Sequence, residues 1–595
     1  MTPSILIIGS PSIDLIDVNN ISQQVAGGAG LYTALGAIQS GAEVTLFAPK
    51  PIEIPLKLAF VEKKMKWIGP SISQEQLPHF HIIQSDSNTI YKEAYFGSEA
   101  DLDPIILPDD LSEFDIVHIV PLGSTKQQMK FVIACRERGA KRISAGTAKP
   151  MAENEPYEVI KIKSAVDFFF MNNYESDLIN KYEKDNKILN AKITFITAGK
   201  NGVIINQGTH VATINSPRVH QVDPTGAGDT FCGATLTKIA SGHHPVMAAR
   251  HGVFLASNMV TGIGPEKLLI DISTINFDTK RVSINHKRLK KIADLISKTP
   301  EVFSFPFIDD ITLPPKNHPI TLDYFFVTTL QQFSFWSHKN ERYFKPLIET
   351  VSGEQLKGAF YLFKAYLKKI DIDPDFFSPQ RQANVTIEEM ENLFKSDNGF
   401  NVMPALQLHV DMAQAYGKTM LELGWTPKSI IDDVKQSELP LKRFFELIDR
   451  IGGYREDPLR KKSALLALIL EQRPEKFIRF ADIEMLPPVV DYHCMRASLR
   501  LGLVDIQDKI LKQKLHSRQL VSVQDEWDVR YEIYKAVNML PNLSGQSMGA
   551  VDWFFFMSRK RCPEMTDPVC SSCVADMVCA KRKDFFQPVI RTSHY

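Results

Sequence analysis

The stretch DPTGAGDTF at residues 223–231 decides the fold of the first half of this 595-residue chain. Its glycine-rich turn runs directly into a predicted helix. The backbone N–H groups of Gly226, Ala227 and Gly228, at the positive end of the helix dipole, would form an anion pocket. Asp229 would stand beside that pocket and accept a proton from an attacking hydroxyl. The pattern predicts phosphoryl transfer, in which fixed positive groups stabilise the developing charge.

Short apolar runs and helical stretches alternate on both sides of this motif. The predicted strands are Ser4–Gly9, Glu43–Ala48, Ile116–Val120, Ala165–Met171 and Ile193–Thr197. The predicted helices are Gly30–Gly41, Lys126–Gly139 and Ala227–Gly242. Buried strands interleaved with helices predict a parallel, doubly wound α/β sheet.

The chain is longer than one hydrophobic core supports, so we expect several domains. A basic, helix-prone stretch at Asn285–Lys298 and a proline-rich segment at Thr312–Pro319 mark a boundary. We predict an α/β domain at residues 1–282, a linker at 283–318 and an all-α domain at 319–595.

Helical periodicity dominates the second half. The predicted helices there are Asp323–Phe335, Gln355–Lys368, Ile387–Lys395, Ala405–Leu423, Leu441–Ile451, Lys461–Leu470, Tyr492–Leu501, Asp528–Leu540 and Ala550–Ser558.

The charge balance and the hydropathy of the chain indicate which kinds of partner to expect: nucleic acid, membrane or small molecule. Residues 1–280 carry 25 Lys and Arg against 29 Asp and Glu, and residues 281–595 carry 44 against 40. Neither half has the basic excess of a dedicated duplex-DNA binder, although a local basic groove can lie within a neutral total. No apolar run approaches a membrane span and no signal peptide is evident. We therefore expect a cytoplasmic protein with a small-molecule nucleoside or nucleotide partner; nucleic acid stays an alternative, and a homodimer is compatible with the sequence.

Motifs in family order make residues 4–280 resemble the ribokinase-like (PfkB) carbohydrate and nucleoside kinases. The resemblance implies that Asp229 is the catalytic base. It implies substrate binding by Asp14, after the first strand, and by Gly27 and Gly28. Tyr32 stands where the family has a sugar-binding Asn, which argues against plain ribose as the substrate. An aromatic residue suits a base or larger aglycone, and a role in the helix core is the alternative.

The same resemblance implies ATP and Mg²⁺ as cofactors. The nucleotide-binding positions that it implies are Gly226, Ala227 and Gly228 of the anion pocket, Thr197, Gly199 and Gly202 of a T-x-G-x-x-G loop, and Asn172 and Glu175 of an N-x-x-E motif that organises magnesium and phosphate.

A second motif, VDYHCMR at residues 490–496, opens a predicted helix. Asp491 there can be an N-cap. It can also stabilise the cation that develops when a base leaves a ribosyl carbon. The spacing V-D-x-H-x-x-R resembles the helix-hairpin-helix glycosylases typified by endonuclease III, which implies a DNA-glycosylase-like helical fold with His493 and Arg496 fixing the helix. A loosely matched Gly-turn-Lys segment maps that family's Schiff-base lysine onto Lys462, with a solvated lysine as the alternative.

Four of the seven cysteines stand close together near the end of the chain. Clustered thiols in a cytoplasmic chain are metal ligands before they are disulfides. The endonuclease III-like family has C-x6-C-x2-C-x5-C, so the resemblance implies a 4Fe–4S cluster with one extra residue in the first gap. Structural Zn²⁺ is the alternative, although only one C-x-x-C pair is present. The predicted ligands are Cys562, Cys570, Cys573 and Cys579.

An aromatic-rich segment at residues 322–336 resembles the start of the queuosine-nucleotide hydrolases, with a packed core helix as the alternative. Together the two halves predict a bifunctional salvage enzyme. The first half would phosphorylate the 5′-hydroxyl of a modified nucleoside, with queuosine as the leading substrate, and the second would then hydrolyse the N-glycosidic bond. The alternatives are a DNA repair glycosylase fused to a kinase domain, and a sugar or nucleoside kinase with a non-catalytic iron–sulfur module.

Overall fold

A computed structural model describes residues 2–18, 21–85, 88–183, 192–270, 281–299 and 305–595. The chain divides into two compact units, Met1–Asp278 and Thr279–Tyr595. Residues 283–318, predicted to be a linker, fall in the second unit and include a helix.

The first unit is an α/β domain. Its strands are β1 Ser4–Ile8, β2 Ser12–Val18, β3 Ile21–Gly27, β4 Glu43–Phe47, β5 Lys50–Pro51, β6 Lys66–Ile68, β7 Ser71–Ile72, β8 His79–Ser85, β9 Asn88–Tyr95, β10 Ile116–Ile119, β11 Ile143–Gly146, β12 Phe168–Asn172, β13 Ile193–Thr197, β14 Val203–Gln207 and β15 His210–Ile214. Its helices are α1 Ala29–Gln39, α2 Val61–Lys64, α3 Thr125–Glu137, α4 Lys149–Asn154, α5 Pro156–Ala165, α6 Asn173–Glu183, α7 Ala227–Ala240 and α8 Pro245–Met259.

The main sheet has the order β15-β14-β13-β12-β11-β10-β1-β4-β6. Neighbouring strands are parallel along the part β13-β12-β11-β10-β1-β4-β6. At the other edge, β14 pairs antiparallel with β13, and β15 pairs antiparallel with β14. Ile5–Ile8 of β1 are at most 1% exposed, as expected of a central strand covered on both faces. The predicted parallel α/β fold is confirmed, and each predicted strand and helix of this half corresponds to an observed one. A second sheet, in the order β3-β2-β8-β9, carries Asp14.

The second unit is mainly helical, as predicted. Its helices are α9 His286–Lys298, α10 Thr321–Leu330, α11 Ala359–Leu367, α12 Pro379–Ala383, α13 Ile387–Leu393, α14 Leu406–Leu423, α15 Pro427–Val434, α16 Pro440–Ile448, α17 Lys461–Gln472, α18 Tyr492–Leu501, α19 Lys509–His516, α20 Val523–Asn538, α21 Leu540–Ser544 and α22 Met548–Arg561. Its strands are β16 Val282–Ile284, β17 Trp336–Lys339, β18 Arg342–Pro346, β19 Ile348–Val351, β20 Glu354–Lys357 and β21 Val504–Ile506.

The sequence predicts an all-α second domain, and these short strands correct that prediction. They pair antiparallel as β16–β21, β17–β18 and β19–β20. The helix predicted to reach Phe335 ends at Leu330, and Ser334 has φ 57° before β17 begins. The helix predicted from Gln355 starts only after Gly358, whose φ of 54° separates β20 from α11. No helix in the described part of the chain is long and apolar enough to cross a membrane.

Candidate active sites

The sequence predicts an anion pocket at the N-terminus of α7, formed by the N–H groups of Gly226, Ala227 and Gly228, and the structure corrects this prediction for Ala227. Gly226 caps the helix in the left-handed region, with φ 78°. A Cβ on Gly226 would lie 2.3 Å from the Tyr32 ring, so only glycine fits there. The Ala227 N–H donates to the Pro224 carbonyl at 3.1 Å, so it serves the turn itself. A Cβ on Gly228 would meet no atom within 4 Å, so space for an anion lies beside the first-turn N–H groups from Gly228 onward.

Two carboxyl groups, of Asp229 and Glu175, interact electrostatically near this pocket. Burial raises the pKa of Asp229 to about 7. Glu175 is 5% exposed, and burial, together with the charge of Asp229, raises its pKa to about 7. Asn172 and Glu175 bond reciprocally where β12 meets α6: the Asn172 N–H donates to Glu175 Oε2 at 2.8 Å, and the Glu175 N–H donates to Asn172 Oδ1 at 2.9 Å. Carboxyl and amide oxygens so arranged suit a hard cation such as Mg²⁺ beside a proton acceptor.

The predicted substrate residues lie close to the same pocket. Asp14 is 2% exposed; burial raises its pKa to about 7, and its Oδ1 accepts the Phe80 N–H at 3.2 Å. A Cβ on Gly27 would lie 1.8 Å from Asp14 Oδ2, so glycine is required beside this carboxyl. Gly28, at φ 95°, then caps α1.

Tyr32 connects the substrate and phosphate regions. Burial raises its pKa well above the usual value, and the charges of Asp223, Asp14 and Asp229 raise it further. Among the described residues its hydroxyl has no hydrogen-bond partner. Tyr32 therefore belongs both to the helix core and to the site. Asp223, to which the sequence analysis gave no role of its own, holds the loop by accepting the Thr225 N–H at 2.9 Å and the Gly264 N–H at 3.0 Å.

Thr197, Gly199 and Gly202 lie at the turn from β13 to β14. Gly199 has φ 53° with no atom within 4 Å of a built Cβ, so the turn is open on that side. A Cβ on Gly202 would lie 1.9 Å from the Ile214 carbonyl oxygen. Nucleotide binding by these three residues stays a prediction.

A cleft in the second unit contains Asp491 and has about 410 Å³ of empty volume. Its wall combines the aromatic rings of Tyr492 and Phe556 with cationic side chains. The Arg559 guanidinium lies 4.1 Å from the centre of the Phe556 ring, and within the described residues its buried Nε has no hydrogen-bond partner. Lys357, also in the wall, is 3.2 Å from Glu564. An acidic side chain, cationic side chains and aromatic rings therefore line one cleft, a combination that suits a bound nucleotide.

Asp491 is the N-cap of α18, and its Oδ1 accepts the Cys494 N–H at 2.8 Å. A hydrogen bond fixes the backbone just before Asp491, because Arg530 Nε donates to the Val490 carbonyl at 3.1 Å. Arg530 is fully buried and paired with Asp457 at 2.7 Å. Asp491 therefore both caps α18 and places a carboxyl group in the cleft.

The sequence analysis missed Lys461, which lines the cleft, and Asp552, a carboxyl outside the cleft wall that interacts electrostatically with Asp491 and Lys461. Burial raises the pKa of Asp552 to about 8; the charge of Asp491 raises it further and that of Lys461 opposes the rise. Burial lowers the pKa of Lys461, opposed by the charges of Asp491 and Asp552. Lys461 lines the cleft and its Nζ donates to the Gln332 carbonyl at 3.2 Å. Two carboxyls in unequal environments can serve as one protonated acid and one carboxylate. No spacing motif could have joined residues so distant in sequence.

Lys462 faces away from this arrangement. Its Nζ donates to the Leu330 carbonyl at 3.1 Å and to the Gly453 carbonyl, and it lies 5.3 Å from the centre of the Phe333 ring. It is fully buried and is not part of the cleft wall. Its assignment as a nucleophile stays a prediction; of these two adjacent lysines, Lys461 is the one that lines the cleft.

If this cleft hydrolyses an N-glycosidic bond, as the sequence predicts, we expect Lys461→Met to lower base release about 100-fold, because it removes a buried cation that interacts with both carboxyl groups. Lys462→Met should instead lower the free energy of unfolding by about 2 kcal/mol, because it leaves two buried carbonyls unpaired. Steady-state hydrolysis and urea denaturation of both variants check this. A larger loss of activity in the folded Lys462 variant would reverse the assignment.

His493 and Arg496 form part of a buried network. Arg496 Nη2 donates to His493 Nδ1 at 3.0 Å, and Nη1 donates to Gln587 Oε1 at 3.0 Å. Burial lowers the pKa of His493 well below its usual value, and the Arg496 charge adds to this. A neutral, bonded histidine fits the predicted role of fixing the helix.

The four clustered cysteines line a different cavity, with about 500 Å³ of empty volume. All are free thiols. Within the described ranges, no three His, Cys, Asp or Glu side chains form a group that could hold a metal ion. The predicted metal site therefore has no preformed ligand group in support.

The first unit is an α/β domain with a buried carboxyl group at a helix N-terminus, and the second is a helical domain whose cleft contains Asp491 and Lys461. Residues 94–270 match the family model of the pfkB family carbohydrate kinases, and residues 313–540 match that of the queuosine salvage protein. The chain thus carries a PfkB carbohydrate kinase domain followed by a queuosine salvage domain. The queuosine resemblance is confirmed at this level, whereas the resemblance to endonuclease III is not supported.

The curated relatives point to the same two classes. A cytidine kinase of Thermococcus kodakarensis is 27% identical over 255 residues, which cover 40% of this chain and 89% of the relative. A queuosine 5′-phosphate N-glycosylase/hydrolase of Schizosaccharomyces pombe is 21% identical over 316 residues, which cover 49% and 90%.

Solved kinase structures also match. A nucleoside kinase of Methanocaldococcus jannaschii, described as an archaeal member of the ribokinase family, is 20% identical with a TM-score of 0.38, covering 46% of this chain and 99% of that chain. A probable sugar kinase of Rhizobium etli is 18% identical with a TM-score of 0.40, covering 44% and 95%.

Proposed function

We propose that this chain is a bifunctional nucleoside salvage enzyme that phosphorylates a modified nucleoside and then releases its base. Queuosine is the proposed substrate. The observation that carries the proposal is the cleft of Asp491 and Lys461, both inside the queuosine salvage match, in a chain whose other unit has the Asp229 pocket of a kinase.

In the first reaction the 5′-hydroxyl oxygen of the nucleoside attacks the γ-phosphorus of ATP. The O–H proton passes to Asp229, the bond to the β,γ-bridging oxygen breaks and ADP leaves. The N–H groups at the start of α7 stabilise the charge on the transferred phosphoryl group. Asn172 and Glu175 would hold Mg²⁺, which would neutralise part of the phosphate charge, and Asp14 and Tyr32 would hold the nucleoside.

In the second reaction the bond between the base nitrogen and C1′ breaks, and a water oxygen bonds to C1′. Asp491 stabilises the cationic ribosyl centre and takes the proton from water. Asp552, with its raised pKa, donates a proton to the departing base. Ribose 5-phosphate-type sugar and free base are the products, so atoms and charge balance.

The order of the two reactions has a physical reason. A 5′-phosphate is a dianion whose binding energy can fix the ribosyl bond against the catalytic groups. Arg559 and Lys357 in the cleft wall are cations suited to that anchor. Both reactions use metabolites of the cytoplasm, which we propose as the location; the homodimer stays a prediction.

The direct test incubates the full chain with queuosine, ATP and Mg²⁺ and measures free base by chromatography. We expect base only when ATP is present, and base without ATP from synthetic queuosine 5′-phosphate. Guanosine and its 5′-phosphate serve as matched substrates. If neither queuosine nor its 5′-phosphate yields base, the proposal fails; salt-dependent binding of damaged duplex DNA in a gel shift would favour the repair alternative.

The pH dependence of base release should report Asp552. A general acid acts in its protonated form, which is present below its pKa and is lost as the pH rises. With that pKa raised to about 8, we expect the hydrolysis rate from the 5′-phosphate to decline as the pH rises through about 8. Asp552→Asn should lower the rate about 100-fold and remove this decline. A wild-type profile that rises through this range would contradict the role.

A further inference from the structure

Residues 591–595 lie outside both matched regions, and neither reaction proposed above uses them. They pack within the second unit, close to the residues that hold Lys461 in the cleft. We propose that the 591–595 segment positions Lys461, and that Arg591 is its main positioning residue. The catalytic consequence rests on the proposed function of the cleft, whereas the position of Lys461 can be measured without it.

The polar groups of Ser334 all pair with the 591–595 segment. The Ser334 N–H donates to the Tyr595 carbonyl oxygen at 3.0 Å. Its hydroxyl donates to the Thr592 carbonyl at 2.7 Å, and its own carbonyl accepts a hydrogen bond from Arg591 Nη1 at 3.0 Å. Backbone and side chain of Ser334 are therefore both fixed by this one segment.

This support matters because Ser334 has an unfavourable backbone conformation. The residue is fully buried and has φ 57°, in the left-handed region. A non-glycine residue in that region persists where the surrounding contacts hold it. Arg591 holds the other side of the turn as well, because its Nη1 donates to the Trp336 carbonyl at 2.9 Å and its guanidinium lies 4.1 Å from the centre of the Trp336 ring.

The turn at Ser334 carries the acceptor of the catalytic lysine. Lys461 Nζ donates to the Gln332 carbonyl at 3.2 Å, and both residues belong to the cleft wall. Gln332 and Ser334 are separated by one residue, so a change in the Ser334 backbone displaces the Gln332 carbonyl. The side chain of Lys461 is thus held in the cleft through a turn that Arg591 fixes.

The backbone of Lys461 is held next to the same segment. Its N–H donates to Asp457 Oδ2 at 2.8 Å, and Asp457 pairs with Arg530 at 2.7 Å. Arg530 lies 4.8 Å from the centre of the Tyr595 ring. Burial raises the pKa of Asp457, but the charges of Arg530 and then of His594 outweigh burial and hold that pKa below its usual range. Both anchors of Lys461 therefore adjoin residues 591–595.

The kinetic test is Arg591→Met in the full chain. Methionine keeps an apolar contact with Trp336 but cannot donate to the two carbonyls. For hydrolysis of queuosine 5′-phosphate we expect kcat to fall about 30-fold, because a displaced lysine no longer meets the carboxyl groups. KM should stay within about twofold, and phosphorylation of the nucleoside should be unchanged. Arg591→Lys keeps one donor and should fall between the two.

The matched control is Arg443→Met. Arg443 Nε and Nη2 donate to Asp433 at 2.7 and 2.9 Å, away from the cleft wall. This variant also loses two hydrogen bonds and should keep the wild-type kcat. A purely structural role for Arg591 would lower the urea midpoint and leave the kcat of the folded protein unchanged, which would overturn the proposal.

A second measurement reads the position of Lys461 without any substrate. Lys461 is 5% exposed and Lys462 is fully buried, so both should react slowly with acetic anhydride in the wild-type protein. We expect Arg591→Met to accelerate acetylation of Lys461 about 10-fold, measured by mass spectrometry, and to leave Lys462 protected. Unchanged acetylation, or an equal rise at both lysines, would overturn the proposal. Wild-type protein that releases no base contradicts the proposed function alone, because the labelling ratio does not depend on hydrolysis.

Discussion

Asp491→Asn should lower release of base from the 5′-phosphorylated nucleoside about 1,000-fold while leaving phosphorylation unchanged. Asparagine is as good an N-cap as aspartate, so the bond from the Cys494 N–H is preserved and only the negative charge is lost. The measurement is single-turnover hydrolysis of the synthetic 5′-phosphate.

The matched control is Asp508→Asn. Asp508 caps α19 by accepting the Ile510 and Leu511 N–H groups at 2.9 Å, and it is not in the cleft wall. The Asp508→Asn variant should hydrolyse the synthetic 5′-phosphate at the wild-type rate. If Asp491→Asn also releases base at that rate, Asp491 is only a helix cap and the catalytic assignment is wrong.

Asp229→Asn should lower ATP-dependent phosphorylation about 1,000-fold, because the amide of asparagine cannot accept the hydroxyl proton. Hydrolysis of the synthetic 5′-phosphate should be unchanged. Asp109→Asn, an exposed position in the same unit, is the control and should be fully active. Phosphorylation is measured by nucleotide chromatography.

The two inactive variants also test each other. A mixture of Asp229→Asn and Asp491→Asn should convert nucleoside and ATP into free base, because one variant supplies the phosphorylated intermediate and the other hydrolyses it. Neither variant alone should do so. No base from the mixture, when each variant keeps its remaining activity, would contradict the proposed sequence of reactions.

The sequence was most informative where the determinants are local. Apolar runs predicted five strands of the main sheet, β1, β4, β10, β12 and β13, but not β6, β11, β14 and β15. The glycine-rich motif predicted the start of α7, where the left-handed N-cap calls for glycine. The local sequence also identified Asp491 as a helix cap, because this residue stands directly before an apolar helix. It failed for β17–β20, because short antiparallel hairpins carry too few residues for a clear period.

Tertiary structure alone decided which side chains share a site. Successive residues of a helix point about 100° apart, so adjacent lysines of α17 face different surroundings, and packing turned Lys461 rather than Lys462 into the cleft. Asp552 joined Asp491 through the approach of two helices, α22 and α18, which no motif records. The sequence by itself determined which chemical groups are present: a glycine-rich helix start, an acid at a helix cap and four clustered thiols. Only the folded chain decided their environments, because burial and neighbouring charge, not residue type, set which carboxyl keeps its proton and which lysine meets it.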